Sequence, residues 1–216
     1  MDAIETIMTT RAMRRFSGAA VHDADIERCL RAAQQAPSGG NVQPQQYLVL
    51  TDPDRRAMVG DWYRRAFDRY EHTLPDPTEF RDDDGRRSWE RTRAASRHLA
   101  EHLAEVPVIV IFLQPVIPWG PGDEEGSLDI GRLDASMYPA VQNFCVAARS
   151  LGLGTTLTTV IRIYGDEVLD ALGVPPGRFE IAALVPVGHP TGTFGVAPRK
   201  PAPAVTHWNE WGMKRR

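Results

Sequence analysis

A near-continuous apolar run from Val106 to Leu113 constrains the fold of this chain more than any other segment. Its residues are mostly β-branched, which is typical of a central strand covered on both faces. A second such run extends from Phe179 to Val187, and shorter candidates lie at 46–50 and 155–161. The sequence therefore predicts a sheet of about four core strands in a mixed α/β architecture.

Helices are predicted between these strands from apolar residues that recur every three or four positions. The second helix is predicted to be capped by Asp23 and to stop at Pro37, and the longest carries apolar residues such as Met137 and Phe144 on a buried face. The predicted helices lie at about residues 4–8, 23–36, 55–70 (after a turn at 52–54), 86–105, 128–151 and 166–172, and a Pro/Gly loop is predicted at 114–126.

We interpret residues 1–216 as a single domain. The polar, proline-containing part of 62–97 is typical of an inserted lid. The tail at 190–216 carries Trp208 and Trp211 in a polar context, which predicts that it docks on a second subunit.

Charge and apolar run length limit the classes of partner and location. The net charge of −3 and the pI near 6.1 argue against a nucleic-acid or membrane-surface role and favour a small-molecule partner. The longest apolar run is too short to span a membrane, and no signal-peptide core is recognisable, so we expect a cytoplasmic protein. Cys29 and Cys145 fall on apolar helix faces, which favours free buried thiols.

Arg11, Arg14 and Arg15 form a basic cluster just past the first predicted helix. Several guanidinium groups there can converge on a phosphate. The alternative is a solvated basic turn. The three residues alone favour it, because arginine is common throughout this chain: among its 25 basic residues, only Lys200 and Lys214 are lysines.

The loop at 36–44 has the composition of a ligand-binding turn. Its glycines permit close backbone approach, and Asn41 and Gln43 carry donors and acceptors that suit a polar heterocycle. The alternative is an ordinary connection from helix to strand, which the turn-forming composition by itself slightly favours.

At this spacing, the two segments resemble the flavin-binding N-terminus of the nitroreductase family. Its usual pattern is R-R-S-x-R-x-F, followed by A-P-S-x-x-N-x-Q-P. Thr10 and Ala12 depart from the first motif at an arginine and a serine position. The matching residues are Arg11, Arg14, Phe16, Ala36, Pro37, Ser38, Asn41, Gln43 and Pro44, and further similar blocks follow in the family's order at 140–143, 151–155, 184–190 and 199–201.

The resemblance implies the nitroreductase-like α+β fold: a central mixed, mainly antiparallel sheet wrapped by helices, in an intertwined homodimer with a C-terminal extension. It implies an FMN in each interface pocket, NADPH or NADH as electron donor, and ping-pong reduction of nitroaromatic, quinone or similar small-molecule acceptors. The flavin N5 carries the chemistry, so no catalytic side chain is expected.

The same resemblance implies which residues hold the cofactor. Arg11, Arg14 and Arg199 would bind its phosphate and pyrimidine end, with help from Lys200. Ser38, Gly39 and Asn41 would come from the partner subunit, and residues 157–159 would lie beside the ring. The implied cofactor-binding set is Arg11, Ala12, Arg14, Pro37, Ser38, Gly39, Asn41, Gln43, Leu157, Thr158, Thr159, Arg199 and Lys200.

Several alternatives remain. Within the superfamily, a reductive dehalogenase resembling iodotyrosine deiodinase or a flavin-fragmenting enzyme would differ mainly in the lid, and a flavin-storage protein would lack turnover. Gln45, where many relatives carry tryptophan, is expected to change pocket width. His98 and His102 favour a solvated helix face over a metal site. No metal is expected.

Overall fold

The computed structural model describes residues 2–80, 82–117, 122–128 and 132–215. Residues 118–121 of the predicted loop at 114–126 therefore lie outside the described residues, and so do residues 129–131 of the predicted helix at 128–151. The same holds for residues 1, 81 and 216, which belong to the predicted domain, lid and tail.

A four-stranded antiparallel sheet forms the centre of the molecule. Its strands lie in the order Gln46–Leu50, Val108–Pro115, Phe179–Gly188 and Gly154–Thr155. A single parallel bridge between Ala12 and Thr155 extends it, so the sheet is mixed and mainly antiparallel, as expected. The described strands are β1 (Gln46–Leu50), β2 (Val108–Pro115), β3 (Gly122–Asp123), β4 (Gly126–Ser127), β5 (Gly154–Thr155) and β6 (Phe179–Gly188), of which β3 and β4 form a separate hairpin.

Helices wrap both faces of this sheet, which confirms the predicted α+β class. The described helices are α1 (Ala3–Thr9), α2 (Asp23–Gln34), α3 (Pro53–Glu71), α4 (Asp83–His102), α5 (Asp134–Ser150), α6 (Gly165–Ala171) and α7 (Ala202–Val205), and short 3₁₀ turns lie at 39–41, 77–79, 103–105 and 160–164. None of the described helices is both long and apolar enough to cross a bilayer.

The alternation of side chains along β2 explains its continuous apolar sequence. Val108, Val110 and Phe112 face one core, which is shared with α2 and α5. Ile109 and Ile111 face the opposite core, which is shared with α3 and α4. Because a strand sends successive side chains to opposite faces, a strand between two cores must be apolar throughout.

Cys29 and Cys145 lie in the first of these cores as free, buried cysteines, as predicted. Burial raises the pKa of both thiols, to about 12 for Cys29. Both are therefore protonated near neutral pH.

Two strand predictions need correction. The segment at 46–50 is an edge strand in which only Leu50 is buried, not a buried strand, because β1 pairs with β2 alone. The predicted strand at 155–161 ends at Thr155. It continues only as a single bridge from Thr158 to Leu184 before the chain turns into the 3₁₀ segment at 160–164.

Three boundaries also differ from expectation. Asp23 is the first residue of α2 and not its cap, because His22 occupies the cap position. Gln114 belongs to β2 and not to the following loop. Helix α5 begins at Asp134 and not near Leu128, because the β3–β4 hairpin extends to Ser127.

Candidate functional site

The N-terminal segment after α1 lies against the start of the 154–159 segment. Met13 donates its amide hydrogen to the Thr155 carbonyl at 2.8 Å, and the Thr156 hydroxyl donates to the Met13 carbonyl. A β-carbon at Gly154 would lie 3.0 Å from the Met13 side chain, so only glycine allows this approach. Arg14 and Thr158 are thereby brought to the same region, as the motifs predicted.

Arg14 is half-buried, and burial lowers the pKa of its guanidinium. Within the described part of the chain, it forms no ion pair with a carboxylate. A partly desolvated cation without a protein anion is a favourable place for a negatively charged ligand. Arg11 is fully exposed beside it.

A cavity of about 190 Å³ adjoins Arg14. His98 and His102 line it, and their rings stack with centroids 4.1 Å apart. Both are half-buried, so the solvated face predicted for this pair is only partly exposed: the cavity side of α4 lies against the segment that contains Arg14 and Phe16. No cluster of three or more metal-ligating side chains occurs among the described residues.

Tyr63 is a site residue that the sequence did not reveal. It lies on α3, and its hydroxyl is 3.1 Å from the Thr158 hydroxyl. Arg14 and Tyr63 are close enough to influence each other's pKa electrostatically. Tyr63 lies four residues from both Val59 and Phe67, a helical spacing that is typical of core residues, and its ring is indeed part of the core.

Residues 157–159 follow this contact along the chain. Leu157 is 43% exposed, while Thr158 and Thr159 are half-buried. The segment thus carries an apolar side chain and two hydroxyl groups, of which the Thr158 hydroxyl contacts Tyr63.

The loop at 37–43 is unusual in its backbone. Gly40, Asn41 and Gln43 all have positive φ, at 56°, 55° and 45°. Two non-glycine residues in this left-handed region store strain that ordinary connections rarely need. The Ser38 hydroxyl accepts a hydrogen bond from the Gln43 amide at 3.0 Å, which holds the turn.

This loop is anchored to α5 and not to the Arg14 region. Gly39 donates its amide hydrogen to the Ser136 hydroxyl at 3.1 Å. Gln45 is 4% exposed and donates to the Ser136 carbonyl. The hydrogen bonds of the described chain connect none of Ser38, Gly39 and Asn41 to Arg14 or Thr158.

Arg199 and Lys200 are exposed, and the Arg199 guanidinium donates to the neighbouring Pro198 carbonyl. The chain before them is tied to the N-terminal segment, since Thr191 donates its amide hydrogen to the Arg15 carbonyl at 3.1 Å. The chain before Arg199 therefore lies against the N-terminal segment after α1. Among the described residues, no hydrogen bond joins Arg199 to Arg14.

The chain is similar to known proteins over most of its length. The model of the "Nitroreductase family" matches residues 7–189. The "FMN reductase (NADPH)" of Bacillus subtilis is 24% identical over 98% of this chain and 75% of that protein. The iodotyrosine deiodinase of Drosophila melanogaster is 24% identical over 86% of this chain and 61% of that protein.

Among solved structures, a protein described as a nitroreductase in complex with FMN, from Desulfovibrio desulfuricans, superimposes with a TM-score of 0.67. It is 22% identical, and the match covers 98% of each chain. This similarity concerns the fold, including the sheet and the helices that position the Arg14 region. With a family model that spans most of its length and a matching fold, the chain belongs to the nitroreductase family.

Proposed function

We propose that this chain is an FMN-dependent NAD(P)H oxidoreductase that transfers two electrons to nitroaromatic, quinone or similar acceptors. The observation that carries the proposal is Arg14, a half-buried cation without a described carboxylate partner, next to Thr158 in a member of this family. The FMN reductase name of the Bacillus subtilis relative supports the same activity.

The residues present fit FMN. Arg14 would offer a positive charge to the pyrimidine end, where negative charge develops when the flavin is reduced, and Arg11 would offer an exposed guanidinium to the phosphate. Leu157 supplies an apolar contact beside two threonine hydroxyls. Ala12, whose backbone is bridged to Thr155, would contribute main-chain groups to the same site.

The remaining contacts would come from two other segments. Arg199 and Lys200 would complete the phosphate site from the C-terminal side. Because the loop at 37–43 is anchored away from Arg14, its residues would reach the FMN of a second copy. The loop residues in this role are Pro37, Ser38, Gly39, Asn41 and Gln43.

A homodimer accounts for the exposed apolar side chains at the two ends of the chain. Ile4 and Ile7 of α1 and Trp211 of the tail are exposed, the last at 90%. Apolar groups at this density usually mark an interface. We therefore assign α1 and the tail at 190–216 to dimer contacts. A cytoplasmic location stays a prediction.

When bound, FMN supplies two-electron transfer at its N5 atom. This chain would bind and orient it. Arg14 would stabilise negative charge at the pyrimidine end, and Leu157 would support one face of the ring, leaving the other open. A single open face obliges the nicotinamide donor to leave before the acceptor binds, which is the order of a ping-pong mechanism.

The segment at 62–97, which includes the end of α3 and most of α4, would act as the lid over that face. Arg97 of α4 forms ion pairs with Asp68 and Glu71 of α3, which hold the two helices together.

A reductive dehalogenase is the second candidate, supported by the similarity to an iodotyrosine deiodinase. The lid would distinguish the two activities.

The test is an anaerobic double-mixing experiment on the FMN-loaded full chain. NADPH or NADH is expected to bleach the flavin absorbance, and a nitroaromatic or quinone added next to restore it. No bleaching by either donor would contradict the proposal and indicate a flavin-storage protein. Recovery only with an iodotyrosine, with iodide release, would indicate the dehalogenase. Loss of the flavin spectrum on admitting oxygen would indicate a flavin-fragmenting enzyme.

A further inference from the structure

Tyr63 has a buried ring and a polar contact that the core does not require. The residue is 2% exposed on α3, between Val59 and Phe67. Phenylalanine would fill the same apolar volume. The hydroxyl is therefore the informative group, and its recorded partner is the Thr158 side chain at 3.1 Å.

Thr158 is held on three sides. Its amide donates to the Leu184 carbonyl at 3.0 Å, and its carbonyl accepts from the Leu184 amide at 2.8 Å. Its hydroxyl oxygen also accepts from the Val160 amide at 3.4 Å. With the backbone fixed to β6, the Tyr63 contact sets the direction in which the threonine hydroxyl points.

The Arg14 guanidinium lies close to the same phenol. Burial raises the pKa of Tyr63, so the phenol keeps its proton at neutral pH. A hydroxyl dipole beside a cation turns its oxygen toward that cation and its proton away. The phenol proton is then available to Thr158, whose own hydroxyl proton is free to bind a ligand.

We propose that Tyr63 is a positioning residue for the cofactor site, which orients the Thr158 hydroxyl and keeps it in register with the Arg14 guanidinium. The inference rests on the proposed function, because the ligand that benefits is the flavin. Tyr63 itself does not touch the cofactor. It acts through Thr158 and Arg14, so its removal changes the electronic properties of bound FMN more than the amount bound.

The experiment compares Tyr63→Phe with Tyr47→Phe in the full chain. Tyr47 donates its hydroxyl hydrogen to the Gln34 side chain at 3.0 Å in the other core, so it is a matched loss of one phenol hydrogen bond. Tyr63→Phe is expected to shift the visible spectrum and reduction potential of bound FMN and to change its rate of reduction by NAD(P)H about three- to tenfold. Tyr47→Phe is expected to change neither.

Two threonine variants test the route of the effect. Thr158→Val removes both the hydroxyl that would face the flavin and the Tyr63 contact, so its shift should be at least as large as that of Tyr63→Phe. Thr158→Ser keeps a hydroxyl and should stay near the wild type. Adding Tyr63→Phe to Thr158→Val should change nothing further, since the contact is already absent. Unchanged flavin spectra and rates in Tyr63→Phe, or additive effects in the double variant, would overturn the inference while the proposed function stands. Wild-type protein that binds no FMN would overturn both.

Discussion

At the scale of single residues, the charge on Arg14 is the feature on which the proposed activity depends. The side chain is half-buried and forms no ion pair within the described residues, although Glu105 lines the same cavity. A charge-assisted hydrogen bond contributes about 1.5–3 kcal/mol. Arg14→Ala is therefore expected to weaken FMN binding about ten- to hundredfold and to lower the reduction potential of what remains bound.

Fluorescence titration with FMN and a redox-dye equilibration would measure the two effects. Arg31→Ala is the control, because it removes an exposed arginine from α2. Full flavin occupancy at an unchanged potential in Arg14→Ala would refute the role assigned to this residue.

The two cysteines give a second prediction at this scale. Because burial raises the pKa of Cys29 to about 12 and also raises that of Cys145, neither carries appreciable thiolate at neutral pH. A thiol reagent should react slowly with the native chain and should titrate 2 thiols after unfolding in guanidinium. Rapid reaction of either thiol in the native state would show that this core opens readily.

At the scale of elements, the sequence predicts those parts whose pattern is set by burial alone. Strands β2 and β6 were found because both lie between two cores. The strand predicted at 155–161 was wrong beyond Thr155, although the threonines of this segment favour a strand. In the register set by Thr155 and Val187, Thr156 would lie opposite Pro186, which has no amide hydrogen to donate. The ladder is interrupted there and resumes only as the bridge from Thr158 to Leu184.

The α3–α4 hairpin carries a prediction about pH. Glu71 accepts hydrogen bonds from Arg97 and Arg93, and the bond from Arg97 is the main cause that lowers the pKa of the carboxyl. A carboxyl with a lowered pKa stabilises the fold above its ordinary value of about 4.3, and this contribution is lost as the pH falls through the lowered pKa.

Glu71→Gln is therefore expected to reduce the free energy of unfolding by about 1 kcal/mol at neutral pH, and by progressively less in acid. Thermal melts across the acid range would measure it, with Glu90→Gln, an exposed site on α4, as the control. A penalty that stays constant into acid would exclude the ion pair as its cause.

At the scale of the whole molecule, the motifs predicted a cofactor site whose residues are not all brought together within a single chain. Arg14 and Thr158 both lie near Tyr63, whereas the loop at 37–43 is tied to Ser136 of α5. Sequence order cannot say which copy of a loop completes a site. Tyr63 escaped prediction for another reason, since a buried phenol at helical spacing is indistinguishable from core until its partner across the fold is known.

Dimer formation by the tail is the prediction at this scale. Trp211 is 90% exposed, and among the described residues its ring stacks on that of His207. If the tail docks on a second subunit, Trp211→Ala should raise the dimer dissociation constant about thirtyfold or more, and Trp211→Phe should recover part of the loss. Sedimentation over a range of concentrations would measure this. A dissociation constant unaffected by Trp211→Ala would move the interface away from the tail.

The central claim, that this chain holds a flavin and accepts electrons from a nicotinamide, is tested most directly by the visible absorbance spectrum of the purified full-length protein, recorded before and after anaerobic addition of NADPH and then NADH. We expect flavin bands that bleach with at least one donor. A colourless protein that cannot be loaded with FMN would contradict the account at its foundation.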